Sequence, residues 1–310
     1  MQSNTTCPIL EQYSSYLSII KGRSIHTIRE YRTDILSFIW WVAGERGTQP
    51  SEKDFSFADV KFIETITLGE IYAFISFCQN TLNSSPGTRA RKIVSVRQFW
   101  KYLKKSHLTD VNVTEELETP KLPKRIPRYL SLEESVRLLL AGKSSPRDHC
   151  ILTILLNCAL RISELESIGC SQVSTDILSF IGKGNKERKI YKTPADKLSI
   201  ATWLEIRKGL PVTSDALFIS RNNRRMSVRF LQAVVKKYAR IAGLDDSTIS
   251  AHKLRHTSAT LVYKYGKADI RSLQQILGHE SIATTEIYTH IDDSQLQAAV
   301  NSNPLEIIFS

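Results

Sequence analysis

Apolar positions recur at helical spacing along most of this chain, which predicts a mainly α-helical protein. Residues 9–20 and 25–42 show the pattern, with Ser24 and Thr27 near the start of the second segment as a capping region. Residues 68–82 repeat it. A longer helix is expected from about Thr88 to Lys105, where Ile93, Val96, Trp100 and Leu103 return every three or four residues as a core stripe. Arg91, Arg97, Lys101 and Lys105 fall on one flank of that stripe. The flank fits two readings, a row of cations tracking a phosphate backbone and an ordinary solvated face.

The pattern then breaks. Thr119-Pro120-Lys121-Leu122-Pro123-Lys124-Arg125-Ile126-Pro127-Arg128 holds three prolines and four basic residues, which keeps the stretch extended and marks a linker. Helical spacing resumes at Ser131-Leu132-Glu133-Glu134, with Ser131 as the expected N-cap. Beyond it the chain stays helical with one exception. Residues 176–192 alternate apolar and polar positions around Gly182-Lys183-Gly184-Asn185-Lys186, the chemistry of a turn between two strands. The tip and return strand of this hairpin carry Lys183, Lys186, Arg188, Lys189 and Lys192, a composition that reads as a surface element rather than a core one.

A length of 310 residues suggests two domains, and 42% hydrophobic with 24% charged residues is ordinary for a globular protein. No apolar run approaches ~18 residues, so no membrane partner is expected. The first residues lack the layout of a signal peptide, and the five scattered cysteines (Cys7, Cys78, Cys150, Cys158, Cys170) form no C-x-x-C pair. They read as buried or incidental thiols of a reducing, cytoplasmic compartment. The formal charge of +11 suggests a polyanionic partner, nucleic acid above all, although a solubilising surplus is the plainer reading.

Several apparent motifs fail on inspection. Gly142-Lys143-Ser144 imitates the end of a phosphate-binding loop, but Arg137 stands where that motif needs glycine. His279-Glu280 starts a zinc-protease motif whose second ligand position is Ala283. No carboxylate cluster has metal-site spacing. Chemistry on DNA would therefore run with no metal, nucleotide or other cofactor. What remains is a set of cations and one tyrosine: Ala159-Leu160-Arg161-Ile162-Ser163-Glu164-Leu165 after an apolar helix, His252-Lys253-Leu254-Arg255-His256-Thr257 opening another, Leu277-Gly278-His279 closing a short one, and Tyr288 nine residues after His279. His252 and Arg255, three apart, share a helix face.

These boxes, together with the Gly182–Arg188 hairpin, resemble the tyrosine recombinases, the Xer-like enzymes and phage-type integrases, in order and in spacing. The resemblance runs from about Leu130 to His290, and Ser24, Thr27, Tyr31, Asp34 and Phe38 are similar to the pattern of the family's core-binding domain. It implies an N-terminal helical, SAM-like core-binding domain (1–118), a basic linker (119–130), a mainly helical catalytic domain with a small antiparallel sheet (131–294), and a tail (295–310) that docks between protomers. It also implies an enzyme that cleaves and rejoins duplex DNA, as a tetramer on two duplexes, through a 3′-phosphotyrosyl bond and a Holliday junction.

Moving a phosphodiester between alcohols needs a nucleophile, a proton for the leaving oxygen and stabilisation of a transition state richer in negative charge. By the resemblance Tyr288 is the nucleophile and Lys183 the acid, with Lys186 as its rival. Arg161 and Arg255 clamp the non-bridging oxygens, for which a planar guanidinium suits better than an ammonium. His252 and His279 bond the phosphate, His252 also taking the tyrosine proton, and Glu164 orients its neighbours. Arg91, Arg97, Lys101, Lys121, Lys124 and Arg125 are the candidate DNA-backbone contacts. Tyr191, Tyr263 and Tyr265 read as half-buried core aromatics, and His256 and His290 as structural. Asn157-Cys158-Ala159 departs from the family's glycine-rich approach to the arginine, and Val113 from its usual Asn-Pro step. Two rival functions are a type IB topoisomerase and a non-catalytic DNA-binding regulator on the same scaffold. The two-domain layout speaks against the first, and the full set of active-site residues against the second.

Overall fold

A computed structural model describes residues 7–48, 54–120, 129–181, 187–266, 268–278 and 285. The chain divides into two compact units, Met1–Lys124 and Arg125–Ser310. Lys121, Lys124 and Arg125, the hairpin tip with Lys183 and Lys186, His279, Tyr288, His290 and the tail lie outside the described residues.

The first unit is helical. α1 (Pro8–Ser15) runs into a π-helical turn (Tyr16–Ile20), and α2 (Ile25–Glu45), α3 (Val60–Glu64), α4 (Leu68–Asn80) and α5 (Pro86–Lys105) follow. Helical periodicity over 9–20 is thus met, but the last turn widens and leaves Ile19 and Ile20 exposed. Ser24 caps α2 by accepting the Thr27 amide at 3.3 Å. α5 starts two residues ahead of the sequence expectation, because Ser85 accepts the Thr88 amide and Pro86 occupies a first-turn position that needs no donor. An aromatic core forms around Phe38, Phe74, Phe99, Trp100 and Tyr13, with Phe38 and Phe74 ring centres 5.2 Å apart.

The same unit buries a carboxylate. Asp34 of α2 is 1% exposed and gathers the cations of α5: Arg91 Nη1 at 2.5 Å, Lys92 Nζ at 3.2 Å and the Ser95 hydroxyl at 2.8 Å. The five-residue pattern Ser24, Thr27, Tyr31, Asp34, Phe38 therefore combines a helix cap, an anchor for α5 and a core ring.

The second unit is built on α7 (Pro146–Asn157), which packs against α6 (Leu132–Gly142), α9 (Pro194–Lys208) and α11 (Ala251–Tyr265). Its Ile151, Leu152, Ile154 and Leu155 are all buried, so the run is apolar around the whole helix rather than along one stripe. Ser131 caps α6 in a reciprocal box with Glu134, as expected. Gly142 ends that helix, the opposite polarity from a phosphate-binding loop. Among the described residues α8 (Ile162–Ser167), α10 (Val228–Ile241) and α12 (Ile270–Leu277) complete the α-helices, and β1 (Ile177–Ile181) pairs antiparallel with β2 (Glu187–Tyr191), Ile177 facing Tyr191 and Phe180 facing Arg188. Among the described residues no helix is long and apolar enough to cross a membrane.

Two expectations need correction. Tyr191 is 74% exposed and Tyr265 66%, so neither is a core aromatic: Tyr191 is on the outward face of β2 and Tyr265 at the last turn of α11. The hairpin is not wholly a surface element either. Along β2 exposure alternates, and Arg188, Ile190 and Lys192 turn inward, with Lys192 giving its ammonium to the Val173 carbonyl at 2.5 Å.

Replacing Asp34 by alanine leaves Lys92 buried without its counter-charge and is expected to cost about 3–5 kcal/mol of stability in the first unit. Trp40, Trp41 and Trp100 lie in that unit. Urea unfolding followed by tryptophan fluorescence therefore measures the loss, and an unchanged midpoint would show that Asp34 anchors nothing.

Candidate active site

The site begins where α7 ends. Asn157, Cys158 and Ala159 turn the chain into the N-terminus of α8, and Ala159 adopts a left-handed φ of 49°. Glycine would take this conformation freely, whereas alanine costs roughly 1 kcal/mol. The Ala159 methyl is fully buried against Ala259, Leu273 and Leu277. The turn aims the Ala159 carbonyl at the Arg255 guanidinium, whose Nη1 donates to it at 2.5 Å.

Arg161 then occupies the N-cap of α8, and Glu164 lies one turn further on. Glu164 Oε2 accepts the Arg161 amide at 2.7 Å and Oε1 accepts Arg161 Nη1 at 2.9 Å. The same carboxylate faces two further guanidiniums, Arg188 Nη2 at 3.2 Å and Arg255 Nη1 at 3.9 Å. One carboxylate thus stands among three arginines and leaves two net positive charges around it.

A second acceptor group faces the same cations. α12 ends at Gly278, which is left-handed (φ 59°) and turns the last carbonyls of the helix toward the arginines. The Leu277 carbonyl accepts from Arg188 Nη1 at 2.8 Å and from Arg255 Nη2, and the Gly278 carbonyl accepts from Arg161 Nη2 at 3.2 Å. These carbonyls are the negative end of the helix dipole. Gly278 is required twice over, by its φ and because a Cβ there would sit 2.6 Å from Arg188 Cδ. Exposure separates the arginines: the Arg161 side chain is 44% exposed, against 7% for Arg188 and 4% for Arg255.

α11 carries the histidines. Ser250 caps it by accepting the Lys253 amide, which brings His252 to the first turn and Arg255 one turn on. His252 Nε2 lies 3.0 Å from His256 Nε2, with the rings edge to face. Burial, then the charges of Arg255 and Arg161, pull the His252 pKa below its ordinary value. Burial, then His252 and Arg255, bring His256 down to about 4. Both imidazoles are accordingly neutral near pH 7, and His252 is able to accept a proton. Among the described residues no group of three or more His, Cys, Asp or Glu is arranged to hold a metal ion.

Such a cationic cluster, with neutral imidazoles beside it, suits a phosphodiester. The phage integrase family model matches residues 128–295, and the N-terminal SAM-like domain of phage integrases matches residues 10–107. The tyrosine recombinase XerC of Caldanaerobacter subterraneus subsp. tengcongensis is 45% identical over 96% of this chain and 87% of its own length. The chain is a Xer-like tyrosine recombinase of the phage integrase family. Tyrosine recombinase XerD of Proteus mirabilis is 32% identical, covering 93% of this chain and 90% of its own. Among solved structures, the XerH site-specific recombinase bound to a palindromic difH substrate in a post-cleavage complex shares the fold, with a TM-score of 0.71 at 21% identity over 96% of this chain and 86% of that one.

In this recombinase Arg161, Arg255 and Glu164 converge, and His252 stands within the field of the two arginines. Lys183, His279 and Tyr288 lie outside the described residues. The candidate DNA contacts of α5 divide. Arg91 is held by Asp34 and Glu30, Arg97 gives its guanidinium to the Leu117 carbonyl, and Lys101 is exposed. Sequence reasoning misses Arg188, because composition groups it with the surface cations of the hairpin. Its signal was there: Ile190, two residues on, marks the inward face of β2, and a strand repeats its faces every second residue.

The low pKa of His256 has a consequence for stability. The folded recombinase binds fewer protons than the unfolded chain between about pH 6.5 and 4, so the imidazole's contribution is complete above 6.5 and is lost as pH falls through that window. The melting temperature should drop between about pH 6.5 and 5, before most carboxylates titrate, and His256→Asn should flatten that drop. An identical pH profile in the variant would contradict the assignment.

Proposed function

We propose that this recombinase cleaves and rejoins duplex DNA at a specific site through a covalent 3′-phosphotyrosyl intermediate on Tyr288. The observation that carries the reading is the convergence of Arg161 and Arg255 on Glu164 and on the carbonyls that end α12, ten residues before Tyr288. Arg161 and Arg255 hold the non-bridging oxygens of the scissile phosphate. His252, kept neutral by its surroundings, receives the tyrosine proton, His279 adds a hydrogen bond, and Lys183 protonates the departing 5′ oxygen. The phosphotyrosyl bond keeps the energy of the broken linkage, so the cycle uses neither a nucleotide nor a metal.

Residues 1–118 serve as the core-binding domain and 131–294 as the catalytic domain, with the basic linker 119–130 and its Lys121, Lys124 and Arg125 along the duplex. Of Arg91, Arg97 and Lys101, Lys101 is the one best disposed for a phosphate, since Arg91 and Arg97 are engaged within their own unit. Strand exchange proceeds between two duplexes in a tetramer, through a Holliday junction, with the 295–310 tail docked on a neighbouring protomer. A λ integrase tetramer solved on a Holliday junction, 17% identical with a TM-score of 0.65 over 91% of this chain and 80% of that one, has the same fold. Nothing in the comparisons favours the topoisomerase or regulator readings.

A nicked suicide substrate tests the assignment. Wild-type protein should give a covalent protein–DNA band on a denaturing gel, and Tyr288→Phe should give none while binding the half-site with unchanged affinity. A persistent adduct in the variant would exclude Tyr288 as nucleophile.

A further inference from the structure

Among the described residues, the proposed mechanism leaves a buried cation beside Glu164 without a task. Arg188 on β2 is 7% exposed, donates Nη1 to the Leu277 carbonyl at 2.8 Å and brings Nη2 within 3.2 Å of Glu164. Its Nε and Nη2 are buried without a well-aligned hydrogen bond. Burying a guanidinium is costly, and an apolar side chain of similar length fills such a place more cheaply when only packing is needed. Anchoring the hairpin to α12 therefore does not account for a full positive charge here.

The surrounding charges do. Glu164 is the carboxylate paired with Arg161, and the α12 carbonyls add partial negative charge against Arg161 and Arg255. Without a third cation, Glu164 would cancel one of the two arginines meant for the phosphate. We infer that Arg188 is a positioning residue whose fixed charge offsets Glu164 and the end of α12, so that Arg161 and Arg255 face the scissile phosphate with their charges uncompensated.

The inference rests on the reading of Tyr288 and its two arginines given above. In that step Tyr288 Oη bonds to phosphorus as its proton passes to His252, the P–O5′ bond breaks, and O5′ takes a proton from Lys183. The diester begins with one negative charge and approaches two in the transition state, which matches the two net charges of the three arginines with Glu164. Arg188 should accordingly favour the transition state over the bound substrate, and its loss should slow cleavage more than it weakens binding.

The test compares Arg188→Gln, which keeps a donor for Leu277 but loses the charge, with Arg188→Lys, which keeps the charge. Single-turnover adduct formation is measured on nicked half-sites whose scissile group is either the ordinary phosphate or a neutral methylphosphonate, with half-site affinity from gel shifts. Arg188→Gln should be slower by on the order of 10²-fold on the phosphate and by less than about tenfold on the methylphosphonate, whose transition state carries one charge fewer. Arg188→Lys should stay within about tenfold of wild type on the phosphate. Equal losses of Arg188→Gln on both substrates, equal impairment of the two variants, or failure of both to bind the half-site would overturn the inference and leave Arg188 a structural residue. Should the methylphosphonate react too slowly even in wild type, the Lys-against-Gln comparison on the phosphate decides alone. Wild-type protein that forms no adduct on the phosphate would instead refute the underlying reading of Tyr288.

Discussion

The candidate active site depends on one electrostatic balance: three guanidiniums held against a single carboxylate and the carbonyl end of a short helix. Glu164 and the last carbonyls of α12 are the acceptors, and Arg161, Arg188 and Arg255 the donors. These side chains come from α8, β2 and α11, segments far apart in sequence, and no single helix or strand has the geometry to assemble them. Bringing like charges together is unfavourable unless acceptors lie between them, and a carboxylate with oriented carbonyls supplies such acceptors without water.

Local features of the second unit follow from that requirement. The left-handed Ala159 aims a carbonyl at Arg255, and the left-handed Gly278 turns the α12 carbonyls toward the arginines while leaving room for the Arg188 stem. Arg161 is fixed by its own backbone amide as well as its guanidinium, since Glu164 grips both. The first unit uses the same device on a smaller scale. Buried Asp34 gathers Arg91, Lys92 and Ser95, and this holds α5 by charge as well as by its aromatic stripe. Two of the cations that sequence spacing offers to DNA are thereby used within the unit, Arg91 by Asp34 and Arg97 by the Leu117 carbonyl.

Much of this was legible in the chain because it is local. Ser24 and Ser131 announce helix starts through hydroxyls that reach amides three residues on, the Gly182–Lys186 sequence between alternating flanks announces a strand pair, and Gly278 announces a helix end. The order and spacing of Arg161, His252, Arg255 and Gly278 along the chain already mark the site. Arg188 escapes a reading by composition, which judges the hairpin as a whole, whereas strand alternation decides each residue separately. Tyr191 and Tyr265 were misplaced for the converse reason: aromatic character suggests burial, but a strand's outward face and a helix's last turn override it. The pairing of Arg91 with Asp34 spans 57 residues, and nothing in local spacing foretells such a contact.

If the balance around Glu164 is the organising constraint, the arginines are in place before DNA arrives. Nitrogen-15 NMR of the guanidinium groups in the DNA-free protein, assigned by single substitutions, measures this directly. Arg188 and Arg255 should give resolved Nε resonances that exchange slowly with water, and Glu164→Gln should broaden or average them. Averaged, fast-exchanging resonances that sharpen only when a half-site is added would contradict the account, because the DNA rather than the protein would then assemble the site.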